Sequence, residues 1–345
     1  MNILRALAAV AAIAVCGFTA STLAEAQTPP PAARGSVSGV VRNGTQGVST
    51  LDGARVQLLA IGSDGQVTSQ EVDVEDGRFG FTPPADPLVT YVLRATYQGV
   101  SYFVDPPVLL SPEFLTEQRD ITVYETTAEP PALRIDSTVV SVQGLDRAQA
   151  QLSLQREDQV INPADRVYVG GADGISLRIP TPDGVIEMVD TSMVEGEAKL
   201  DGGTVTTTQP LQPGSNLVVT RYLVGYDQTK DAYRLRITAP LPTQRMEIWV
   251  PERFTDDLVP GPDAAKTGDR DLQDERWHIV ERKGKATEGE GLIATIEGLS
   301  GSNASNPLTQ FPGAAFAIVL ALGVLLGGVF LAGRVRAPKG DGTLP

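Results

Sequence analysis

Residues 35–44, Gly-Ser-Val-Ser-Gly-Val-Val-Arg-Asn-Gly, place β-branched side chains among small and polar ones and then stop at Asn43-Gly44, a tight-turn dipeptide. This is a strand with its terminator, and the same unit recurs outward from it. Ala54 to Ile61 sets Val56 and Leu58 on one face against Arg55 and Gln57 on the other. Asp64-Gly65 turns the chain, and Gln66 to Val74 runs back with Val72 and Val74 in step. Asp76-Gly77 turns it again into Arg78-Phe79-Gly80-Phe81. After a Pro-rich loop, Thr82 to Pro87, come Val89 to Tyr97, a Gln98-Gly99 reversal, Val100 to Val104, and finally Arg119 to Glu125. Seven short strands at this spacing predict an antiparallel sandwich over residues 35–125.

Residues 126–132 read as a hinge, and a second sandwich is predicted over 133–299. Its strands are Leu133 to Val142, Ala150 to Leu154, Ile175 to Ile179, Val185 to Val189, Gly203 to Thr208, Leu217 to Val224, Tyr233 to Thr238 and Met246 to Val250. Arg276 to Glu281 and Leu292 to Ile296 complete it. Residues 251–275 hold eight acids against three bases among Pro and Gly, the texture of a solvated acidic loop. No helix-period window of useful length occurs outside the two chain ends. The fold class expected is therefore all-β: two tandem antiparallel β-sandwich domains, a cleaved N-terminal signal peptide and one C-terminal transmembrane helix.

The run Val37-Ser38-Gly39-Val40-Val41-Arg42-Asn43-Gly44, then Leu51-Asp52-Gly53-Ala54-Arg55-Val56-Gln57-Leu58, Asp76-Gly77-Arg78-Phe79-Gly80-Phe81 and Tyr91-Val92-Leu93-Arg94-Ala95, resembles the carboxypeptidase regulatory-like family. Members have a prealbumin-like sandwich of the carbohydrate-binding-like folds, related to the collagen-adhesin B repeats. The resemblance covers residues 35–125 only. It implies an accessory, non-catalytic extracellular module used as a stalk or for binding. Adhesin B repeats often carry a Lys–Asn crosslink, but the first lysine of this chain is Lys199, so none can form within this domain.

Both ends read as membrane signals. Residues 1–26 have the zones of a secretory signal: Arg5, an apolar run from Ala6 to Phe18, and a small-residue site at Ala24-Glu25-Ala26, so cleavage is expected between Ala26 and Gln27. The apolar run is shorter than the roughly 20 residues that cross a bilayer. Cys16 is a weak lipidation candidate, because Val15 occupies a position that wants a very small residue. Residues 27–34 form a stiff Pro-rich lead-in, and 300–310 a polar stalk. Residues 311–333 then run without a charge for 23 positions, long enough for a transmembrane helix. Arg334, Arg336 and Lys339 follow at once, which places the 334–345 tail in the cytoplasm and the bulk outside it. Asn306-Pro307-Leu308-Thr309 is similar to a variant sortase signal, but Leu308 and Gln310 fit it poorly and a permanent anchor is preferred.

Composition removes whole classes of chemistry. Acids outnumber bases 42 to 28, a net charge of −14, which opposes nucleic-acid binding through phosphate neutralisation. Four bases (Arg5, Arg334, Arg336, Lys339) and two acids (Glu25, Asp341) lie outside residues 27–310, leaving that segment with 24 bases against 40 acids. One His and one Cys in 345 residues rule out multi-ligand zinc sites and disulfide frameworks. His278, between Trp277 and Ile279 in a predicted strand, has no nucleophile-elbow sequence to partner it and reads as structural. The carboxylates of Asp269 to Glu275 have the oxygen chemistry calcium wants, but Arg270 sits among them and an EF-hand glycine is missing, so a solvated loop is the simpler reading. No catalytic, cofactor or metal residues are assigned. For sugar binding the first domain offers Tyr91, Tyr97, Tyr102 and Phe103; Tyr91 shares a face with Leu93 and Ala95, while Tyr102 is the ring expected to meet a ligand. Asn43-Gly44-Thr45 and Asn303-Ala304-Ser305 match glycosylation sequons, which short sequences do by chance.

The function expected is that of a non-enzymatic binding or scaffolding protein of the cell envelope. It is single-pass in the cell membrane, and its partners are envelope proteins or a cell-surface glycan. A surface carbohydrate-binding module and an accessory subunit in assembly of an envelope membrane complex are the alternatives.

Overall fold

The computed structural model describes residues 33–189, 196–272 and 275–300. The signal peptide with its Ala26/Gln27 site, the lead-in up to residue 32, the stalk beyond Ser300, the apolar 311–333 segment and Arg334, Arg336 and Lys339 lie outside these residues. No helix among the described residues is long and apolar enough to cross a membrane. Apart from short 3₁₀ turns at Gln228–Lys230 and Glu252–Phe254, the regular structure described is all strand.

The first unit contains β1 (Ser36–Asn43), β2 (Arg55–Ile61), β3 (Val67–Asp73), β4 (Arg78–Phe81), β5 (Thr90–Tyr97), β6 (Val100–Phe103), β7 (Val108–Leu109), β8 (Thr116–Gln118) and β9 (Ile121–Val123). One sheet runs β4-β1-β8 with β9 also on β1; the other runs β3-β2-β5-β6 with β7 also on β5. The alternation read in the sequence becomes burial: β5 is buried at every second residue, Tyr91, Leu93, Ala95 and Tyr97. These pack with Val37, Val41, Val56, Leu58, Phe79 and Phe81 between the sheets. Each such side chain removed from water stabilises the fold by about 1.5–3 kcal/mol.

Pairing is not purely antiparallel as expected. β8 and β9 run parallel to β1, because the chain crosses after β7 and returns along the β1 edge in the same direction. They are interrupted at Arg119, whose N–H donates to Ser38 O at 2.9 Å. The Arg119 carbonyl lies over Gly39, where a Cβ would come within 1.8 Å of it. The glycine in the opening motif is thus required by a close backbone approach.

The predicted hinge contains a strand, β10 (Thr126–Thr127). The second unit holds β11 (Arg134–Asp146), β12 (Gln151–Asn162), β13 (Val167–Tyr168), β14 (Leu177–Pro180), β15 (Val185–Val189), β16 (Ala198–Asp201), β17 (Thr204–Thr207) and β18 (Gly214–Gly225). It continues with β19 (Ala232–Thr238), β20 (Thr243–Pro251), β21 (Asp257–Pro260), β22 (Ala264–Leu272), β23 (Glu275–Arg282) and β24 (Gly291–Glu297). A seven-stranded sheet, β15-β18-β12-β11-β20-β23-β22, shares its core with two three-stranded sheets, β14-β17-β16 and β19-β24-β21. β11 and β20 pair in parallel, a second departure from the antiparallel expectation.

The acidic segment 251–275 is not a loop. β21 and β22 occupy most of it, and β22 pairs with β23 from Ala264↔Arg282 to Leu272↔Glu275. Its exposed faces are charged because a strand at the sheet edge has solvent on both sides, and charge there also discourages pairing with other chains.

Inside this core lie two ionised side chains. Arg156 and Asp158 are both wholly buried. Thr138 Oγ1 donates to Asp158 Oδ1 at 2.6 Å, and Arg156 Nη2 donates to Thr238 O at 3.1 Å. Arg156 Nη1 donates to Pro180 O at 3.3 Å. One guanidinium therefore ties the ends of β14 and β19, strands of two different sheets, to the sheet opposite.

Candidate functional site

Two arrangements stand out once side chains are placed. The first is the seam between the sandwiches. Asn43-Gly44 turns the chain so that Thr45, 3% exposed, points into it. The Thr45 hydroxyl donates to Asp165 O at 3.0 Å and accepts the Glu125 N–H at 2.9 Å. Gln46 N–H donates to Asp165 Oδ2 at 3.0 Å, and Val167 N–H to Glu125 O at 2.8 Å. β10 and β13 pair in parallel, and Val167 packs into the first core. From the β5–β6 hairpin, Ser101 O accepts from Gln212 Nε2 at 3.1 Å.

Glu125 organises this seam. Its Oε1 accepts from Tyr97 OH at 2.7 Å and Asn43 Nδ2 at 2.8 Å, and Oε2 accepts from Gln98 Nε2 at 2.7 Å. These donors, Tyr97 foremost, outweigh the desolvation that opposes them and hold the carboxyl below the usual glutamate range. Burial, followed by the hydrogen bond to Glu125, pushes the Tyr97 phenol up. The sequon residue Asn43 is thus engaged with Glu125 and with Thr50 O.

The second arrangement is the outer face of the seven-stranded sheet. Opposed residues on neighbouring strands share a face, so register sets Trp249, Ser141, Gln155 and Arg221 in one row. Arg221 Nε donates to Gln155 Oε1 at 2.7 Å, and Gln155 Nε2 to Glu157 Oε1 at 2.6 Å. Burial under these neighbours lowers the Arg221 pKa from its ordinary value. Trp249 Nε1 donates to Glu247 Oε2 at 2.9 Å, its ring meets Trp277 edge-on at 6.3 Å between centroids, and the Arg270 guanidinium lies 5.2 Å over it. Nearby, Arg253 Nη1 donates to Glu275 Oε2 at 2.6 Å, though burial still pushes the Glu275 carboxyl up. The half-buried indoles and the Arg221 and Arg270 guanidinia are what this face offers a polar, planar ligand, since Gln155 and Glu247 are themselves buried.

The sequence-predicted residues fall elsewhere. Tyr102 is a core residue, 4% exposed, and this corrects its assignment as the ligand ring. Its hydroxyl donates to Tyr124 O at 3.0 Å and accepts the Tyr124 N–H at 3.1 Å. The parity was inverted: Tyr102 lies opposite Ala95, on the buried face of β5, while Phe103 is 55% exposed. Tyr91 is buried as read. His278 Nδ1 lies 2.8 Å from Asp269 Oδ1, across the β22–β23 ladder. Other acids of that segment have basic partners: Asp271 with Arg276 at 3.2 Å, and Asp257 with Lys266, which lowers the Asp257 pKa. No group of three or more His, Cys, Asp or Glu among the described residues is placed to hold a metal. Trp249 and Trp277 escaped the sequence reading because they lie 28 positions apart, and only strand pairing joins them.

No protein-family model matches this chain, and no curated protein matches it. Among solved structures it is similar to the M1 zinc metallopeptidase of Deinococcus radiodurans, at 10% identity and a TM-score of 0.31 over 48% of this chain and 42% of that one. It spans less than half the length of that enzyme. It is also similar to the Corynebacterium diphtheriae major pilin SpaA, at 12% identity and a TM-score of 0.18 over 77% of this chain and 84% of the pilin. Invasin, a bacterial integrin-binding protein, aligns at 11% identity and a TM-score of 0.13. At these scores the alignments bear on neither activity nor partners; the described residues form packed β-sheets.

Proposed function

We propose that this chain is a membrane-anchored, extracytoplasmic binding and scaffolding protein of the cell envelope, without catalytic activity, whose residues 35–125 serve as a carboxypeptidase regulatory-like stalk module. The observation that supports this is the seam: Thr45, Glu125 and Asp165 fix two sandwiches into one spacer, while among the described residues the sheets end in strands that pair on one side only. A scaffold works by holding surfaces at a set separation, and hydrogen bonds across a buried seam do this where a free hinge would not. Photo-crosslinking residues placed at exposed Leu109 and Leu272, one on each sandwich, should trap envelope proteins in the native host. Trapping nothing at either position would sink the proposal.

A second reading, surface glycan binding, draws on the half-buried Trp249–Trp277 pair and the Arg270 guanidinium over it. A glycan array probed with the full chain should give hits that Trp277→Ala abolishes. A blank array removes this reading and leaves the first standing.

A further inference from the structure

The edge strand β3 lacks the register breaks, prolines and basic residues that keep several other edges of this protein from pairing, and its two acids, Glu71 and Asp73, are each ion-paired at 3.3 Å to Arg55 of the neighbouring β2. β15 and β22, which close the seven-stranded sheet, each break register, at Val185/Glu187 and Lys266/Gly268. β14 and β21 end in Pro180 and Pro260. β19 presents Arg234 and Arg236, and its Thr238 carbonyl is taken by Arg156. β3 is seven residues, Val-Thr-Ser-Gln-Glu-Val-Asp, with no proline, no basic residue and no register shift against β2.

Register shows which backbone groups face outward. Val74 N–H donates to Ala54 O and Gly62 N–H to Gln66 O. Hydrogen-bonded pairs alternate along an antiparallel ladder, so Thr68, Gln70 and Val72 turn their N–H and C=O toward β2. Val67, Ser69, Glu71 and Asp73 turn theirs to the edge that no strand pairs with among the described residues, and these groups specify an extended strand as the occupant.

We infer that this occupant is β3 of a second copy of the chain, paired antiparallel about a two-fold axis at Gln70. The strand is self-complementary in that register. Full overlap opposes Val67 to Asp73 and Ser69 to Glu71, so every outward-facing acid meets an uncharged residue rather than another acid. Gln70 meets its own copy across a non-hydrogen-bonded pair, where Cα atoms come to about 4.5 Å, within disulfide range. The inference is independent of where the chain resides.

The test is cysteine trapping in the full chain freed of its native thiol (Cys16→Ala). Gln70→Cys should crosslink to dimer under mild oxidation about tenfold faster than the exposed turn control Ser63→Cys, since pairing raises the local thiol concentration. Adding Ser69→Pro removes one outward N–H while leaving the bonds to β2 intact, and should return the Gln70→Cys rate to that of the control. Equal rates for Gln70→Cys and Ser63→Cys overturn the inference, as does fast crosslinking that survives Ser69→Pro. If Ser69→Pro does not fold, Thr68→Cys replaces it: it must crosslink slowly, because the two-fold pairs it with Val72 and not with itself, and a rate matching Gln70→Cys overturns the register and the inference with it.

Discussion

Arg156 grips Asp158, two residues along the same strand, through two hydrogen bonds, Nε to Oδ2 at 2.7 Å and Nη2 to Oδ1 at 3.0 Å, with both side chains fully buried. Residues i and i+2 of a strand share a face, so both point into the core of the second sandwich. The pair is costly to desolvate, and its value depends on both partners being present.

Arg156→Leu leaves the Asp158 carboxylate buried without its counter-charge and frees the Pro180 and Thr238 carbonyls. We expect a loss of about 3–5 kcal/mol in urea unfolding, and substantial recovery in the Arg156→Leu/Asp158→Leu double variant. A double variant as unstable as the single one would show that the staple across β14 and β19, rather than the ion pair, is what matters.

Gly39→Ala drives a Cβ against the Arg119 carbonyl and the Phe79 ring. Overpacking against backbone should cost about 3 kcal/mol or more in the first unit. Gly80→Ala, on the neighbouring strand, meets nothing within 4 Å and should change stability little. Thermal unfolding of the two variants side by side reads the contrast.

Thr45→Val removes a hydroxyl that is both donor and acceptor at the seam, leaving the Glu125 N–H and the Asp165 carbonyl short of a partner. A cost of about 1–3 kcal/mol is expected, visible in calorimetry as the transition of the first sandwich separating from and falling below that of the second. A scan shifted as one unit, with no separation, would mean the hydroxyl does not couple the two.

The stability of the seam should depend on pH, and the sign follows from Glu125. Its carboxyl, held by Tyr97 and the amides of Gln98 and Asn43, has a lower pKa folded than unfolded. As pH falls, the unfolded chain takes up this proton first. The stabilisation is therefore intact above the ordinary glutamate range and is lost as pH falls through it toward the lower folded value. Glu125→Gln should flatten the stability–pH slope of the first transition between about pH 5 and 3, while an unchanged slope would place the titration elsewhere.

The sandwich of the first unit was legible because turn dipeptides and period-2 alternation act locally: Asn43-Gly44 and Asp76-Gly77 end strands where they are read. Strand parity across a short hairpin was not. The Gln98-Gly99 reversal sets Tyr102 against Ala95, a pairing that neither strand announces alone. β12 runs eight residues past Leu154, where the reading stopped, because Gln155, Arg156 and Asp158 look like a surface and are in fact buried. β22 looked like a loop for the converse reason, an edge strand exposed on both faces. The Trp249–Trp277 contact and the Thr45–Asp165 bond join residues 28 and 120 positions apart, and only tertiary pairing reveals them.

The central claim is that the folded mass faces outward from a membrane anchor. Protease added to intact spheroplasts carrying the full chain, with the tail beyond Arg334 tagged, tests it most directly. The account predicts that the sandwiches are cut away and that a small tagged fragment stays in the salt-washed membrane fraction. A full-length band surviving protease, or recovery of the whole chain in the soluble fraction, would contradict it.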